Sequence, residues 1–253
     1  MSSLESPTRP ESPVDVVDVG PSRWAIVSKL QERTNILSQQ DVTDGLGPAY
    51  VTEKFLCSSL DSSNTPAFMR VYKQVPIAGT EIKKASVRAA QAVKSYEPIE
   101  LVALKSLQEK GCDVIPRLLA YQCDEQAEDD TVPGGFIAYV IWEKVPGESL
   151  NTQKFWGYSL SEREEIRLKF REAYKAVQAC GYGLFPGIKK IIYHRPTQTI
   201  YLSGFSGPYR TEDTQWSDDI YCAYGLVRPP TALDQIFPIT STDLKYDDKG
   251  WRW

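Results

Sequence analysis

The stretch that most constrains this chain is Pro66-Ala67-Phe68-Met69-Arg70-Val71-Tyr72-Lys73-Gln74-Val75-Pro76. Met69, Val71 and Lys73 alternate with Phe68, Arg70 and Tyr72, in a run rich in β-formers that prolines close at both ends. Strand side chains point to the two faces in turn, so the run reads as a half-buried strand with a lysine near its end. Residues 49–57 form a second such run, and Asp61-Ser62-Ser63-Asn64-Thr65-Pro66 supplies the polar turn that makes the two a hairpin.

Helical spacing follows. Residues 81–111 read as helical, through Ala85, Val87, Ala89, Ala90, Ala92, Val93 and then the stripe Leu101, Leu104, Leu107. Pro98 marks a start or a kink inside that span, and Gly111 its end. Residues 114–121 read as a short strand. The nearly continuous apolar run 135–142 reads as a strand covered on both faces. Residues 143–150 break it with Pro146-Gly147 and lead into a helix. The clearest helix is 161–180, with Ser161 and Glu164 as a capping box and Ile166, Phe170, Ala173, Tyr174 and Val177 along one face.

Residues 188–193 and 199–202 read as a hairpin around His194-Arg195-Pro196-Thr197, and no long helix is expected beyond Phe205. Upstream, 22–39 reads as a short helix or extended arm. Residues 1–20, rich in Ser, Pro and acidic side chains, read as a disordered tail. The fold class is therefore α+β in two lobes. A sheet-rich lobe with a long helix spans 21–145, and a reduced, mostly helical lobe with a small hairpin spans 146–253.

Composition excludes several functions. A net charge of −4 gives no basic field for nucleic acid or an anionic membrane. No apolar run reaches the roughly 20 residues of a membrane span. Residues 1–13 lack the basic and apolar regions of a secretory signal. Five cysteines without repeated spacing read as reduced thiols of the cytosol or nucleus, and one histidine, His194, argues against structural zinc.

Val71-Tyr72-Lys73, then Glu100 ahead of Ala103-Leu104, then Gly111-Cys112-Asp113-Val114-Ile115-Pro116-Arg117-Leu118, then the strand and Pro-Gly break from Tyr139 to Leu150 follow one another in order. The sequence here resembles the protein-kinase-like superfamily, especially the small divergent kinase-like proteins abundant in filamentous fungi, over residues 50–206. The resemblance implies a two-lobed fold in which Glu100 holds Lys73 and the lysine meets nucleotide phosphates as a point charge. It also implies that backbone groups near Glu143 and Val145 hydrogen-bond an adenine.

The catalytic half departs from the family's pattern. Phe185 stands where the family has its aspartate base, Lys190 where it has an asparagine, and Gly204, in Leu202-Ser203-Gly204-Phe205-Ser206, where it has a metal-binding aspartate. Phenylalanine accepts no proton, glycine offers magnesium no carboxylate, and lysine adds charge where a cation should sit. Gly45-Leu46-Gly47 lacks the third glycine of a phosphate loop. No catalytic residue or metal ligand is therefore assigned. Nucleotide without magnesium is the one cofactor that Lys73 and Glu100 would still allow.

Other motifs read as structure. Lys189-Lys190 is a solvated turn and His194 a surface residue. Ser203-Gly204-Phe205-Ser206-Gly207 lacks nucleophile-loop spacing and a second histidine, and the acidic run 124–130 is a solvated loop without EF-hand spacing. Trp216, Tyr221, Tyr224, Trp251 and Trp253 cover a shortened core or form a partner patch. The expectation is an inactive kinase-like scaffold whose partner is another protein. The competing expectation is an active, atypical ATP-dependent phosphotransferase that recruits Asp218 or Asp219 to bind magnesium.

Overall fold

In the computed structural model, residues 15–61, 64–230 and 243–253 are described, and they form two units. The first holds the described residues up to Tyr96 together with Leu119–Glu143; the second holds Glu97–Leu118 and Lys144–Trp253. The sheet ends at Glu143, and the helix that carries Glu100 belongs to the second unit rather than to the sheet.

The first unit is built on β1 (Val16–Val19), β2 (Ser22–Asn35), β3 (Tyr50–Ser59), β4 (Pro66–Gln74), β5 (Leu118–Glu125) and β6 (Phe136–Glu143), with α1 (Gln39–Thr43) and α2 (Ala85–Ala89) in its connections. The strands form one sheet in the order β1-β2-β3-β4-β6-β5. The pairs from β1 to β4, and β4 with β6, are antiparallel. β3 and β4 are the expected hairpin, with Phe55 opposite Met69 and Val51 opposite Lys73. Val19, Trp24, Cys57, Ala67, Met69 and Ile141 pack as a buried cluster on one face.

Three sequence expectations change here. The disordered tail expected over 1–20 lies outside the described residues as far as residue 14. Val16–Val19 is strand β1, because Val19 is buried against the sheet. The helix or arm expected over 22–39 is β2. Its apolar Val27 and Leu30 are exposed, and two register shifts against β3 break the alternation that would have revealed a strand. The long helix of 81–111 is only α2 and, in the second unit, α3 (Ile99–Glu109). Between them Ser95 takes φ +53°, a left-handed value that no helix continues through.

The second unit contains α3, α4 (Thr152–Trp156), α5 (Leu160–Ala179) and α6 (Asp219–Ala223). Two small sheets accompany them. β7 (Glu148–Ser149), β9 (Ile191–His194) and β10 (Thr199–Leu202) form one in the order β10-β9-β7, while β8 (Tyr182–Leu184) pairs with β11 (Pro208–Arg210). The region is mixed rather than mostly helical, since strands of two to four residues are too short to show a period. α5 buries Ile166, Phe170, Ala173, Tyr174 and Val177, as its spacing requires. Its cap is Ser159, whose hydroxyl accepts from the Glu162 N–H at 3.3 Å, and not Ser161. β9 and β10 are the expected hairpin, with Ile200 opposite Tyr193.

Candidate functional site

Lys73 lies on β4 between Val51 of β3 and Ile137 of β6. Strand alternation puts it on the face of Met69 and Val71, opposite to Phe68, Arg70 and Tyr72. Its ammonium pairs with the carboxylate of Asp130, in the loop between β5 and β6. The Lys73 hydrogen bond holds that carboxyl below its ordinary range against the opposing effect of burial, and the Ala127 N–H, at 3.0 Å, adds to it. The acidic run 124–130 is thus more than a solvated loop: one of its carboxylates is the lysine's partner.

A relay of buried amides fixes this loop. Gln126 donates through Nε2 to the carbonyls of Gln74 at 2.9 Å and Phe136 at 3.0 Å. Its Oε1 accepts from Val132 N–H at 3.1 Å and Thr131 Oγ1 at 3.3 Å. Gln74, one residue past Lys73 and pointing to the other face, donates to Gln91 O at 2.7 Å and accepts from Val93 N–H at 2.9 Å. A Cβ at Gly135 would lie 2.6 Å from Gln74 Oε1 and 3.0 Å from Val132 O, so a side chain there would have to displace the relay. On the face opposite Lys73, the Lys54 ammonium sits 4.2 Å from the Phe68 ring centroid and 5.4 Å from that of Trp142, with Arg70 5.2 Å from Trp142.

The Lys73–Asp130 pair is a third exposed at each partner, so its contribution to stability is small. Asp130→Asn should cost under about 1 kcal/mol, yet raise amide exchange across 126–135. The wild-type loop should loosen in the same way at low pH. A depressed carboxylate contributes above its unfolded pKa and loses that contribution as pH falls through its folded one. Exchange that is unchanged in Asp130→Asn would show that the pair does not hold the loop.

The other expected nucleotide residues are distributed over both units. Glu143 ends β6 opposite Ala67. Glu100 is buried in the first turn of α3, and Val145 is buried just after the sheet ends; both belong to the second unit.

In the second unit Phe185, Lys190 and Gly204 come together. Phe185 follows β8 with its ring 5.8 Å from that of Tyr209, and the Lys190 ammonium lies 6.0 Å from the Phe185 centroid. Gly204 has φ +95°, and a Cβ there would fall 2.8 Å from Lys190 Cδ. The Ser203 N–H and hydroxyl both donate to Lys190 O, at 2.9 and 3.1 Å. The lysine stem therefore occupies the space next to Gly204 that a side chain would need. The cluster offers an aromatic ring, an alkyl chain and an ammonium, and no carboxylate.

Asp218 and Asp219 lie elsewhere in this unit. With Asp247, Lys249, Trp251 and Trp253 they line a cavity of about 190 Å³. Asp218 accepts from the Trp216 indole and Asp219 from the Ser217 hydroxyl, each at 2.9 Å. His194 bonds Thr197 Oγ1 through Nδ1 at 2.7 Å, at the tip of the hairpin. Among the described residues, no group of three or more His, Cys, Asp or Glu side chains could hold a metal ion.

No protein-family model and no curated protein matches the chain. Among solved structures it is similar to the Cydia pomonella granulovirus kinase PK-1, with 8% identity and a TM-score of 0.44, over 74% of this chain and 52% of that one. The chain thus spans about half the length of that viral kinase.

Asp130 and Gln126 are the residues that sequence reasoning missed. The only signal for Asp130 was its place in an acidic run. Five carboxylates, Asp124, Glu125, Glu128, Asp129 and Asp130, compete for that role without a local cue.

Proposed function

We propose that this chain is a catalytically inactive, kinase-like protein that acts as a binding or regulatory module. The order of elements supports the kinase-like part. A lysine strand (β4) precedes a helix with a buried glutamate (α3), an edge strand (β5), a strand ending at Glu143 (β6), a short helix, a long helix (α5) and a small hairpin (β9–β10). The single observation that carries the inactivity is the cluster of Phe185, Lys190 and Gly204, where a base and a metal ligand would have to stand. Proton abstraction and magnesium binding both need a carboxylate there, and none of the three residues has one.

On this reading the partner is another protein, in the cytoplasm or nucleus. The net charge of −4 supports that choice over nucleic acid, and no helix among the described residues is long and apolar enough to cross a membrane.

The test is a thermal-shift titration with ATP and ADP, with and without magnesium, beside a phosphotransfer assay. No transfer and no magnesium-dependent shift are expected. A ligand at a hundred times its Kd would stabilise the native state by about 2.7 kcal/mol, which a melt resolves readily. Magnesium-dependent phosphotransfer that disappears in Lys73→Ala would overturn the proposal. A magnesium-free shift lost in Lys73→Ala and kept in Asp130→Asn would refine it to a nucleotide-sensing module.

A further inference from the structure

Between the Pro-Gly break and the β9–β10 hairpin, the second unit encloses a cavity of about 430 Å³. Gly147 lets it form. It takes φ +103°, and a Cβ there would lie 2.6 Å from Tyr193 O, so a side chain would push β7 off β9. The pairing that results sets Glu148 opposite Tyr193 and Ser149 opposite Ile192, and the Leu150 N–H then bonds Ile191 O at 2.8 Å. Asn151 turns the chain into α4, its side chain accepting from the Lys154 N–H at 2.8 Å. Backbone pairing thus fixes the walls in advance.

Two cations, Lys154 and Arg195, share the lining with one carboxylate, Glu148. The Lys154 ammonium pairs with Glu148, and both are well exposed, so the pair contributes little and is easily exchanged. Arg195 is held more firmly. Glu162, outside the lining, takes its Nε and its Nη2 at 2.8 Å each, and the guanidinium lies 5.3 Å from the Tyr158 ring centroid. These contacts fix the fork and leave Nη1 without a partner among the described residues. His194 spends Nδ1 on Thr197 Oγ1 at 2.7 Å and has a second ring nitrogen to offer. The rest of the wall is largely apolar, with Leu150, Pro196 and the rings of Tyr158 and Tyr193, which meet edge to face at 6.3 Å.

We propose that this cavity is a binding site for a small aromatic phosphate monoester, its phosphate on Lys154 and Arg195 and its ring against Leu150 and Tyr158. The volume falls within the roughly 300–1,000 Å³ of small-ligand sites, which combine apolar walls with a few convergent polar groups. A phosphate monoester carries about −1.5 to −2 at neutral pH and has three acceptor oxygens. It can take Lys154 from Glu148, bind the open Nη1 of Arg195 and accept from His194. Inorganic phosphate would satisfy the cations but leave the apolar walls in water, and a neutral phenol would do the reverse. The site uses neither Lys73 nor the Phe185 cluster, so it stands whether or not the chain binds nucleotide.

The folded full chain would be titrated calorimetrically with phenyl phosphate, inorganic phosphate and phenol, and with a blocked phosphotyrosine peptide. Phenyl phosphate is expected to bind once per chain with a Kd below about 1 mM, about fivefold or more tighter than inorganic phosphate, with phenol not binding. Lys154→Met and Arg195→Met should each weaken phenyl phosphate by about fivefold or more, while Glu148→Gln, which releases Lys154, should tighten it. Lys154 lies on the surface, so Lys154→Met should keep the wild-type melting temperature, and its lost binding is then not a lost fold. A peptide that binds more tightly than phenyl phosphate would make the source a phosphorylated chain, and a weaker one a free ligand; either must need both cations. The proposal is wrong if phenyl phosphate does not saturate wild type, if inorganic phosphate binds as tightly, or if Lys154→Met and Arg195→Met leave its affinity unchanged.

Discussion

Gln126→Leu is expected to lower stability by roughly 3 kcal/mol or more, because it strands several buried polar groups at once. The native amide satisfies two carbonyls, those of Gln74 and Phe136, and the Val132 N–H. Leucine fills similar space but donates and accepts nothing, and each orphaned group costs about 1–3 kcal/mol. The apolar gain of leucine over glutamine offsets only part of this. The contrast with Asp130→Asn is the point. The charged pair is a third exposed at each partner, while the neutral amide behind it is buried and carries the loop.

Gln126→Glu gives the sign of the same argument. A carboxylate facing two carbonyls is tolerated only when protonated, so its folded pKa rises. The deficit should be smallest below the ordinary glutamate pKa of about 4.3 and grow as pH climbs past it. Urea midpoints for both variants, with amide exchange over 126–135, would decide. If Gln126→Leu matched Asp130→Asn in cost, the relay would not be what holds the loop.

The same contrast explains what could be read from sequence. β4, α5 and the β9–β10 hairpin were legible because each buries one face, which writes a period into the residues, and β6 because its run is apolar almost throughout. β2 was not, since its register shifts move Val27 and Leu30 out to solvent. The helical span over 81–111 misled because Ala85 to Ala92 is helix-favouring in composition, while α2 buries no residue and so gains nothing from extending. Phe185, Lys190 and Gly204, singled out by counting along the chain, do adjoin. Pairings set by long loops could not be read in this way. The pairing of Lys73 with Asp130 depends on how distant segments return to one another, which no periodicity encodes.

Arg163→Met and Arg167→Met, one turn apart on α5, are expected to differ by about 3 kcal/mol, with Arg163→Met the worse. Both side chains are buried, but they are satisfied differently. Arg163 donates to Tyr158 O at 2.8 Å and to Asp243 O, so it joins α5 to the segment at the end of the described chain. Removing it orphans those carbonyls. Arg167 donates from Nε to Leu226 O at 2.9 Å, while its two Nη atoms find no acceptor among the described residues. The rings of Phe155, Trp156 and Trp253, 5.5 to 6.0 Å from its guanidinium, return part of the desolvation cost.

Burial first, and the Arg163 charge second, push Arg167 down to about 10 from its ordinary 12.5. Keeping that charge inside therefore costs on the order of 3 kcal/mol at neutral pH. Methionine keeps the stem and a sulfur for the rings while shedding the charge, so Arg167→Met should be close to neutral or stabilising. The pH dependence follows from the lowered pKa. Below pH 10 both folded and unfolded arginine are charged and the full cost is present. Between 10 and 12.5 the folded state sheds its proton first, and wild type should regain stability relative to Arg167→Met. Urea melts of the two variants at neutral pH, and of wild type against Arg167→Met up to pH 11, test both statements. A loss in Arg167→Met as large as that in Arg163→Met would mean that the Arg167 guanidinium is bound by an acceptor beyond Leu226.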